Sequence, residues 1–310
     1  MTVARSRQIT AVASVILLCS MASAAFLLRS MDETFPSATL QQMLYISSPK
    51  LLKRLSLGYD GLVADIYWTR TVQYFGGIHS RGGGTYKLLW PLLNIATQLD
   101  PHLIPAYEFG ETFLLAKPPQ GAGDPYRAIE LVQYGTQNNP NNWHLYYDLA
   151  FIYYDQKDYL HASEAFLRAS QLPNAHPFLK IMAAQMAQHG GDLRTARMMW
   201  SAMYETTHDK LIQANAAAHL RAIQVNEEVT ALEHLVQAYR DRTGHFPETF
   251  SEMVSSGMIR GIPLDPLHHS YRLESGGRVV VSNPDDLPFL DKGLPRGYVP
   301  SAAPKLSPES

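Results

Sequence analysis

The amino-acid sequence repeats part of itself at a spacing of 34 residues. Four positions keep their character when 34 is added to the residue number, since Leu149, Ala150, Ala162 and Phe166 are matched by Ala183, Ala184, Ala196 and Trp200. Subtracting 34 from Ala162 gives Ala128. A repeat of this length is typical of stacked helical hairpins, because a single hairpin cannot bury its own apolar face.

The small and large residues of the best copy suit two packed helices. Ala150 and Ala162 permit antiparallel helices to approach closely, and the rings of Tyr146, Tyr153 and Phe166 fill the space between hairpins. The polar stretch "DQKD" at 155–158 predicts the turn between the two helices.

This pattern resembles the tetratricopeptide repeat (TPR), whose copies are helical hairpins of about this length. The best copy runs from Trp143 to His176, and its successor turns at "GGD", residues 190–192. The resemblance implies about four hairpins over residues 58–210. The two N-terminal ones depart from the standard length through the loops "GIHSRGGG" and "AKPPQGAGD". We expect the first to be a hairpin loop, because it lacks the Gly-Lys-Ser/Thr ending of a phosphate-binding loop.

The TPR resemblance also implies a binding groove. Positions two, five, nine and twelve of the first helix of each repeat usually face the concave side. In this sequence they are His144, Tyr147, Phe151 and Tyr154 in the best copy, with Tyr107, Glu111, Asp65 and Trp68 in the upstream copies. An aromatic groove with acidic spots suits a peptide or a partner helix. In the alternative interpretation, the long helix that follows Leu211 fills the groove and these rings form core.

A long helix is predicted over residues 211–243. Apolar residues recur there at spacings of three and four, and Gly244 follows as a C-terminal capping glycine would. The sequence pattern changes in residues 244–290. A short helix after Phe246 and Pro247 is followed by a proline-containing loop and by two strands around "SGG", residues 275–277.

This order of elements resembles the soluble part of the major pseudopilin of type II secretion systems. The matching residues are Tyr239, Gly244, Phe246, Pro247, Pro263, Asp265, Pro266, Tyr271 and Arg272. The resemblance covers about 60 residues and implies a small α+β module. No prepilin peptidase signal precedes the helix, the helix lacks its own membrane half, and "LHH" at 267–269 stands where the family usually has an aromatic residue and Gly-Asn. Polymerisation into a pilus is therefore left open.

The N-terminus predicts attachment to a membrane. Arg5 and Arg7 precede an uncharged run from Ile9 to Leu28, long enough to span the roughly 30 Å hydrocarbon layer. We expect residues 1–8 in the cytoplasm, a single transmembrane anchor at 9–29, a linker at 30–57, and the remainder in the periplasm of a bacterial inner membrane. A cleaved signal peptide is the alternative, since "ASA" at 22–24 is a plausible cleavage site. The Pro- and Ser-rich residues 291–310 are predicted to be a disordered tail.

Composition and motifs argue against several functions. A net charge of −2 gives no basic field for nucleic acid, and the single cysteine, Cys19, permits no internal disulfide. No catalytic or cofactor motif is present, and surface loop histidines are the expected role of His268 and His269. Since some pseudopilins hold Ca²⁺ in a late loop, Asp285 and Asp286 are candidate metal ligands.

The sequence thus predicts a mainly α protein with an N-terminal transmembrane helix, a TPR-like stack of hairpins, a long helix and a small α+β module. The expected function is a non-catalytic, membrane-anchored scaffold that binds a protein or peptide in the cell envelope. The alternatives are an accessory pseudopilin-related factor for secretion or pilus assembly, and an enzyme with an unrecognised site. No cofactor is expected, and the oligomeric state is left open.

Overall fold

The protein is mainly helical in the computed structural model, which describes residue 17, residues 20–23 and residues 48–300. From residue 48 onward, the elements are α1 (Pro49–Leu55), α2 (Asp60–His79), α3 (Leu89–Leu99), α4 (Ile104–Leu115), α5 (Pro125–Asn138), α6 (Trp143–Asp155), α7 (Tyr159–Ser170), α8 (Phe178–His189), α9 (Leu193–Thr206), α10 (Lys210–Thr243), α11 (Phe250–Ser255), β1 (Arg272–Glu274), β2 (Arg278–Val280) and a 3-10 turn (Pro284–Asp286). They form two compact units, Met1–Asn139 and Pro140–Ser310.

Much of the N-terminal region falls outside the described residues. The predicted cytoplasmic residues 1–8 lie outside them, and so does most of the predicted anchor at 9–29. Among the residues that the structure does describe, no helix combines the length and apolar character needed to cross a membrane. The predicted linker at 30–57 is wrong at its end, because α1 is a helix whose Leu52 belongs to the core of the first unit.

The first unit contains two helical hairpins, α2 with α3 and α4 with α5, and α3 packs against both helices of the second hairpin. Part of its core is a cluster of buried apolar side chains from the first three helices, namely Leu52, Ala64, Tyr67, Leu92, Ile95, Ala96 and Leu99.

The glycine-rich stretch forms the connection between α2 and α3, as predicted. Gly83 has φ of +89°, and a Cβ atom there would lie 1.9 Å from the carbonyl oxygen of Pro119. The neighbouring Gly84 N–H donates to that oxygen at 3.1 Å. Only glycine permits this approach, so the loop packs against the α4–α5 connection.

The 34-residue spacing is visible in the local geometry of three successive second helices, α5, α7 and α9. Each begins at an aspartate N-cap, and Asp124, Asp158 and Asp192 accept from the backbone N–H three residues later at 3.1, 3.3 and 3.1 Å. The residue before each cap has a positive φ: +64° at Gly123, +60° at Lys157 and +81° at Gly191. One turn geometry therefore starts these three second helices, whereas α3 begins at Leu88 without a side-chain cap.

The buried positions repeat at the same spacing. Ala128, Ala162 and Ala196 are all fully buried, and so are the larger side chains four residues later, Val132, Phe166 and Trp200. In the second unit each of the helices α6 to α9 packs against the next one in the chain. A small residue at the crossing and a large one a turn later explain this regular packing.

The second unit also contains the long helix and the C-terminal module. Helix α10 packs against α9 and β2, and it ends at Gly244, whose φ is +83°, as predicted. Strands β1 and β2 pair antiparallel, so the predicted hairpin is confirmed. The module's core joins one side of α10 to α11 and the strands, through Val225, Val229, Leu232, Val236, Tyr239, Phe250, Met253, Tyr271, Val279, Val281 and Leu287. The hairpins predicted as one region at 58–210 are thus divided between the two units, and the later ones share a unit with this module.

A C-terminal strap, residues 287–294, ties the module to the hairpins. Asn226 accepts from the backbone N–H groups of Asp291 and Lys292 at 3.2 and 3.0 Å, and Gln188 donates to the carbonyl of Phe289 at 3.2 Å. Val281 donates to Gly293 at 2.8 Å. The predicted disorder of residues 291–310 is therefore wrong for the start of this segment, because its backbone groups are paired. Residues 301–310 lie outside the described range.

Ala162 offers a test of the hairpin packing. Ala162→Leu should lower the free energy of unfolding by about 1–3 kcal/mol, because added methylenes in a filled core force side chains and backbone to move. Ala202 in α9 is exposed, so Ala202→Leu is the matched control and should stay within ~0.5 kcal/mol. Urea unfolding followed by circular dichroism measures both, and equal effects would contradict the close packing at Ala162.

A buried histidine joins the strap to the hairpins. The ring of His219 lies between Trp200 and Phe289, with ring centroids 4.0 and 3.9 Å away and planes within 4° and 9° of parallel. Its Nδ1 lies 2.9 Å from Oε1 of Gln188. Burial, assisted by the nearby His189, lowers the pKa of His219 to about 3, so the ring is neutral when folded.

This geometry predicts a pH dependence of stability. Below its ordinary pKa of about 6.5 His219 gains a proton in the unfolded chain but not in the folded one, so stability should fall toward pH 3 by up to about 1.4 kcal/mol per pH unit. The contribution should be fully present above about pH 6.5. His219→Phe should flatten that slope, whereas His208→Phe, at an exposed position, is the matched control. Unfolding free energies measured across this range test it, and an unchanged slope in His219→Phe would contradict the assignment.

Candidate functional site

The predicted groove residues of the first unit fall into different environments. Asp65 is exposed on α2, Trp68 is half-buried on the same helix, and Glu111 is half-buried on α4. Tyr107 is fully buried. Three of the four thus lie where a partner could reach them.

Tyr107 is a core residue, and its prediction as a groove residue is wrong. Its ring lies against Gly135 of α5, where an added Cβ atom would come within 2.8 Å of it. Its hydroxyl donates to the carbonyl of Pro101 at 3.1 Å, and burial raises its pKa. The position equivalent to Gly135 in the next copy is Ala169. The missing side chain at Gly135 gives this ring room to turn inward.

A stack of four rings, Trp68, Phe75, Phe109 and Phe113, joins α2 to α4; we call it the first aromatic face. Phe113 lies between the two helix-α2 rings, with centroids 6.3 Å from Trp68 and 4.0 Å from Phe75, both within 12° of parallel. Phe109 lies 6.4 Å from Trp68 and is 55% exposed. An exposed phenylalanine supported from behind by a tryptophan is a suitable contact for a partner.

Three of these rings, Phe75, Phe109 and Phe113, were not selected in the sequence analysis. Phe109 and Phe113 are spaced i,i+4 on α4, and Trp68 and Phe75 are spaced i,i+7 on α2, so both pairs lie along one side of their helix. This spacing was available in the sequence. The TPR register instead selected Tyr107 and Glu111, which are displaced by two positions from the exposed rings.

The second unit has its own group of rings, Tyr147, Phe151, Tyr154 and Phe178, which we call the second aromatic face. Tyr147 contacts Phe151 at 4.7 Å and Phe178 of α8 at 6.4 Å between centroids. Phe151 contacts Tyr154 at 6.2 Å, and Tyr154 is 42% exposed. The predicted residues Tyr147, Phe151 and Tyr154 are thus brought together.

Fully buried Phe166 lies behind this second face, 6.2 Å from Tyr147 and 5.3 Å from Phe151. His144 is exposed at the start of α6 and stacks on its neighbour Trp143 at 3.7 Å. The ring contacts of Tyr147, Phe151 and Tyr154 come from α6, α7 and α8. Helix α10 packs against α9 and β2, so it supplies none of these ring contacts.

Carboxylates accompany the first aromatic face. Asp65 precedes Trp68 by one turn, and Glu108 and Glu111 lie on α4, one residue before and two residues after Phe109. Glu111 accepts from the hydroxyl of Thr112 at 3.3 Å. The two helices therefore combine exposed aromatic surface with negative charge, and this combination attracts cationic side chains.

Tyr239 and Tyr271, two of the residues that match the pseudopilin pattern, form hydrogen bonds that stabilise the module. The hydroxyl of Tyr239 donates to Glu252 at 2.7 Å, a bond that raises the pKa of the tyrosine and lowers that of the carboxyl group. Buried Tyr271 donates to Glu228 of α10 at 2.6 Å, and its burial raises its pKa. Both bonds tie the long helix to the module.

The loop carboxylates Asp265 and Asp285 accept hydrogen bonds within the module. Buried Asp265 accepts from the backbone N–H groups of Leu267 and His269 at 2.8 and 2.9 Å, and so shapes the loop that carries His268. Asp285 accepts from the hydroxyl of Tyr298 at 2.8 Å. Within the described ranges no three His, Cys, Asp or Glu side chains are grouped to hold a metal ion. Ca²⁺ also accepts backbone carbonyl and water oxygens as ligands, so the calcium hypothesis for Asp285 and Asp286 stays a prediction.

Comparison with models of known protein families gives no match, and a search of curated proteins gives none either. The functional argument therefore rests on the two aromatic faces and the charges around them.

The contrast between Tyr107 and Phe109 is testable. Tyr107→Ala should lower the free energy of unfolding by about 3–5 kcal/mol, as other buried rings do, because it leaves a cavity against Gly135. Phe109→Ala should cost less than about 1 kcal/mol, since much of its ring is already in contact with water. Thermal and urea unfolding of both variants measure the difference, and a larger loss in Phe109→Ala would place that ring in the core.

Proposed function

We propose that this protein is a non-catalytic, membrane-anchored scaffold of TPR-like hairpins that binds a protein or peptide partner in the cell envelope. The observation that carries the proposal is the first aromatic face. Phe109 keeps more than half of its surface in water, although it is supported by Trp68 and lies beside a well-packed core. Such rings are typical anchors of protein interfaces.

The aromatic faces share one structural position, which supports a common role. The first face is built on α2 and α4 and the second on α6 and α8, which are the first helices of their hairpins. The second helices α5, α7 and α9 instead bury the larger side chains Val132, Phe166 and Trp200. The placement of both aromatic faces on first helices matches the TPR arrangement, in which the first helices present the binding surface.

The charges narrow the class of partner. Asp65, Glu108 and Glu111 lie on the helices of the first face. A segment with aliphatic side chains for the rings and Lys or Arg side chains for the carboxylates fits this surface best. The proposed partner is therefore a basic, amphipathic peptide or helix.

The uncharged run from Ile9 to Leu28 supports membrane anchoring. With Arg5 and Arg7 before it, the same run supports an N-terminus in the cytoplasm and the hairpins in a bacterial periplasm.

An accessory, pseudopilin-related role in secretion or pilus assembly is the second candidate. It is supported by the order of elements in the C-terminal module and by two exposed aliphatic side chains, Ile262 at 52% and Leu264 at 51%, on either side of Pro263. In this role these two residues would contact the assembly machine. Ile262→Ser with Leu264→Ser should then weaken that contact and leave peptide binding at the aromatic faces unchanged.

The proposed function is tested by selecting peptides from a random library against the full chain reconstituted in nanodiscs. We expect enrichment of peptides that combine aliphatic and basic residues. Phe109→Ala should weaken the best peptide at least roughly 20-fold, since an aromatic anchor is worth about 2 kcal/mol or more. Tyr154→Ala serves as the equivalent test of the second face.

Two exposed tyrosines provide matched controls. Tyr126, 82% exposed on α5, controls for the first unit, and Tyr204, 37% exposed on α9, controls for the second. Tyr126→Ala and Tyr204→Ala should leave peptide affinity unchanged. A library that yields no binder, or binders that are insensitive to both face variants, would refute the proposal.

A further inference from the structure

The first unit has a further apolar surface, which includes none of the rings of the first aromatic face. It is formed by α1, the turn after it and the first two turns of α2. Its exposed side chains are Leu51 at 47%, Leu55 at 59%, Leu57 at 85%, Tyr59 at 69%, Leu62 at 61% and Ile66 at 42%. We call these residues the edge surface.

The edge surface is held in place by the fold. Leu52, on the other side of α1, is buried in the core with Ala64 and Tyr67 of α2. Ser48 caps α1 by accepting from the N–H of Leu51 at 3.3 Å. The exposed leucines of α1 therefore belong to a docked helix, not to a loose chain end.

Both the backbone conformation and the exposure of Leu57 are energetically unfavourable. Its φ is +51°, a left-handed conformation that leucine rarely adopts, and its side chain is 85% exposed. Among the residues that the structure describes, none covers this side chain. A strained, exposed leucine at the tip of a turn indicates contact with something outside the described structure.

The charges of α1 and of the turn after it are positive. Lys50, Lys53 and Arg54 are exposed on α1, and residues 48–59 contain no acidic side chain, whereas the α2 part of the edge surface carries Asp60 and the exposed Asp65. The nearest acid, Asp60, accepts a hydrogen bond from Ser56. Leucines and a tyrosine flanked by lysine and arginine are the composition of an element that lies in the interface of an anionic bilayer.

We infer that the edge surface docks onto the anionic lipid bilayer in which the protein is anchored. Leu51, Leu55 and Leu57 would enter the boundary between headgroups and acyl chains, and Tyr59 would lie at headgroup depth. The cations would contact lipid phosphates. The inference rests on the proposed anchor, because residues 29–47 connect the uncharged run to α1 and limit their separation to roughly 65 Å.

The same charges argue against a second copy of the chain as the occupant. A symmetric contact would place Lys50, Lys53 and Arg54 of one copy close to the same three cations of the other, and like charges at an interface are unfavourable. The terminal hairpin of a stack normally has a polar outer face, whereas Leu62 and Ile66 make this one apolar. A bilayer covers such an edge without requiring a further protein.

The test places a polarity-sensitive nitrobenzoxadiazole label at one position in the full chain. Cys19→Ser removes the single native cysteine, and Leu57→Cys then introduces the labelling site. The chain is reconstituted into phosphatidylcholine vesicles with or without phosphatidylglycerol, each prepared with and without a nitroxide quencher on the acyl chains. We expect a blue-shifted label whose quenching in phosphatidylglycerol vesicles is at least about twofold greater than that of a label at Tyr126→Cys.

Charge variants supply a second readout. Lys53→Glu with Arg54→Glu should reduce the quenching at position 57 in phosphatidylglycerol vesicles. Lys180→Glu with Arg194→Glu makes the same change in net charge at exposed sites of the second unit and should leave the quenching unchanged. Circular dichroism melts confirm that each labelled variant is folded.

The possible outcomes distinguish failure of the bilayer contact from failure of the proposed membrane anchor. If the chain resists alkaline washing but position 57 is quenched no more than position 126, the bilayer contact is refuted and the anchor stands. A label that is blue-shifted yet unquenched would assign the edge surface to a protein occupant, and so would also overturn the inference. If washing removes the chain but position 57 is still quenched when the chain is added to vesicles, the anchor fails and the lipid surface stands.

Discussion

The helix stack depends on close contacts made by alanine. Ala128, Ala162 and Ala196 are fully buried on successive second helices, and a larger side chain at any of them would push the neighbouring helix away. The aspartate cap and left-handed residue that precede each of these helices start it in the same way. The capped turn determines where each of these helices starts, and the alanine determines how closely the helix packs against its neighbour. The packing of α5, α7 and α9 follows from these two constraints.

In the second unit, the strap packs against α10 at the end of the hairpin stack. Phe289 covers the ring of His219, and Asn226 binds the backbone of Asp291 and Lys292. The last hairpin therefore packs against α10, and α10 carries the C-terminal module on its far half through Tyr239 and Tyr271. Stacked hairpins need a cap where repetition stops, and here the cap is a folded module with its own surface.

Two kinds of apolar surface remain exposed among the described residues. The aromatic faces combine rings with half-buried support, and the first of them has carboxylates beside it. The edge surface combines aliphatic side chains with lysine and arginine. The first combination is that of a protein interface and the second that of a lipid interface. In the proposed scaffold, one surface would hold a basic segment and another would contact the membrane, which would bring the two together.

The sequence by itself determined the local features. The repeat spacing, the alanine positions, the end of α10 at Gly244 and the hairpin around Gly276 all follow from periodicity and turn chemistry, which neighbouring residues impose on the backbone. Tertiary structure decided which side chains face water. Tyr107 is buried because Gly135, on another helix, leaves space for its ring, whereas Phe109 is exposed two positions later. The start of the predicted tail is ordered because Asn226 and Val281 bind its backbone. Both outcomes depend on partners distant in sequence, and periodicity within a helix contains no information about the size of the residue that will lie opposite.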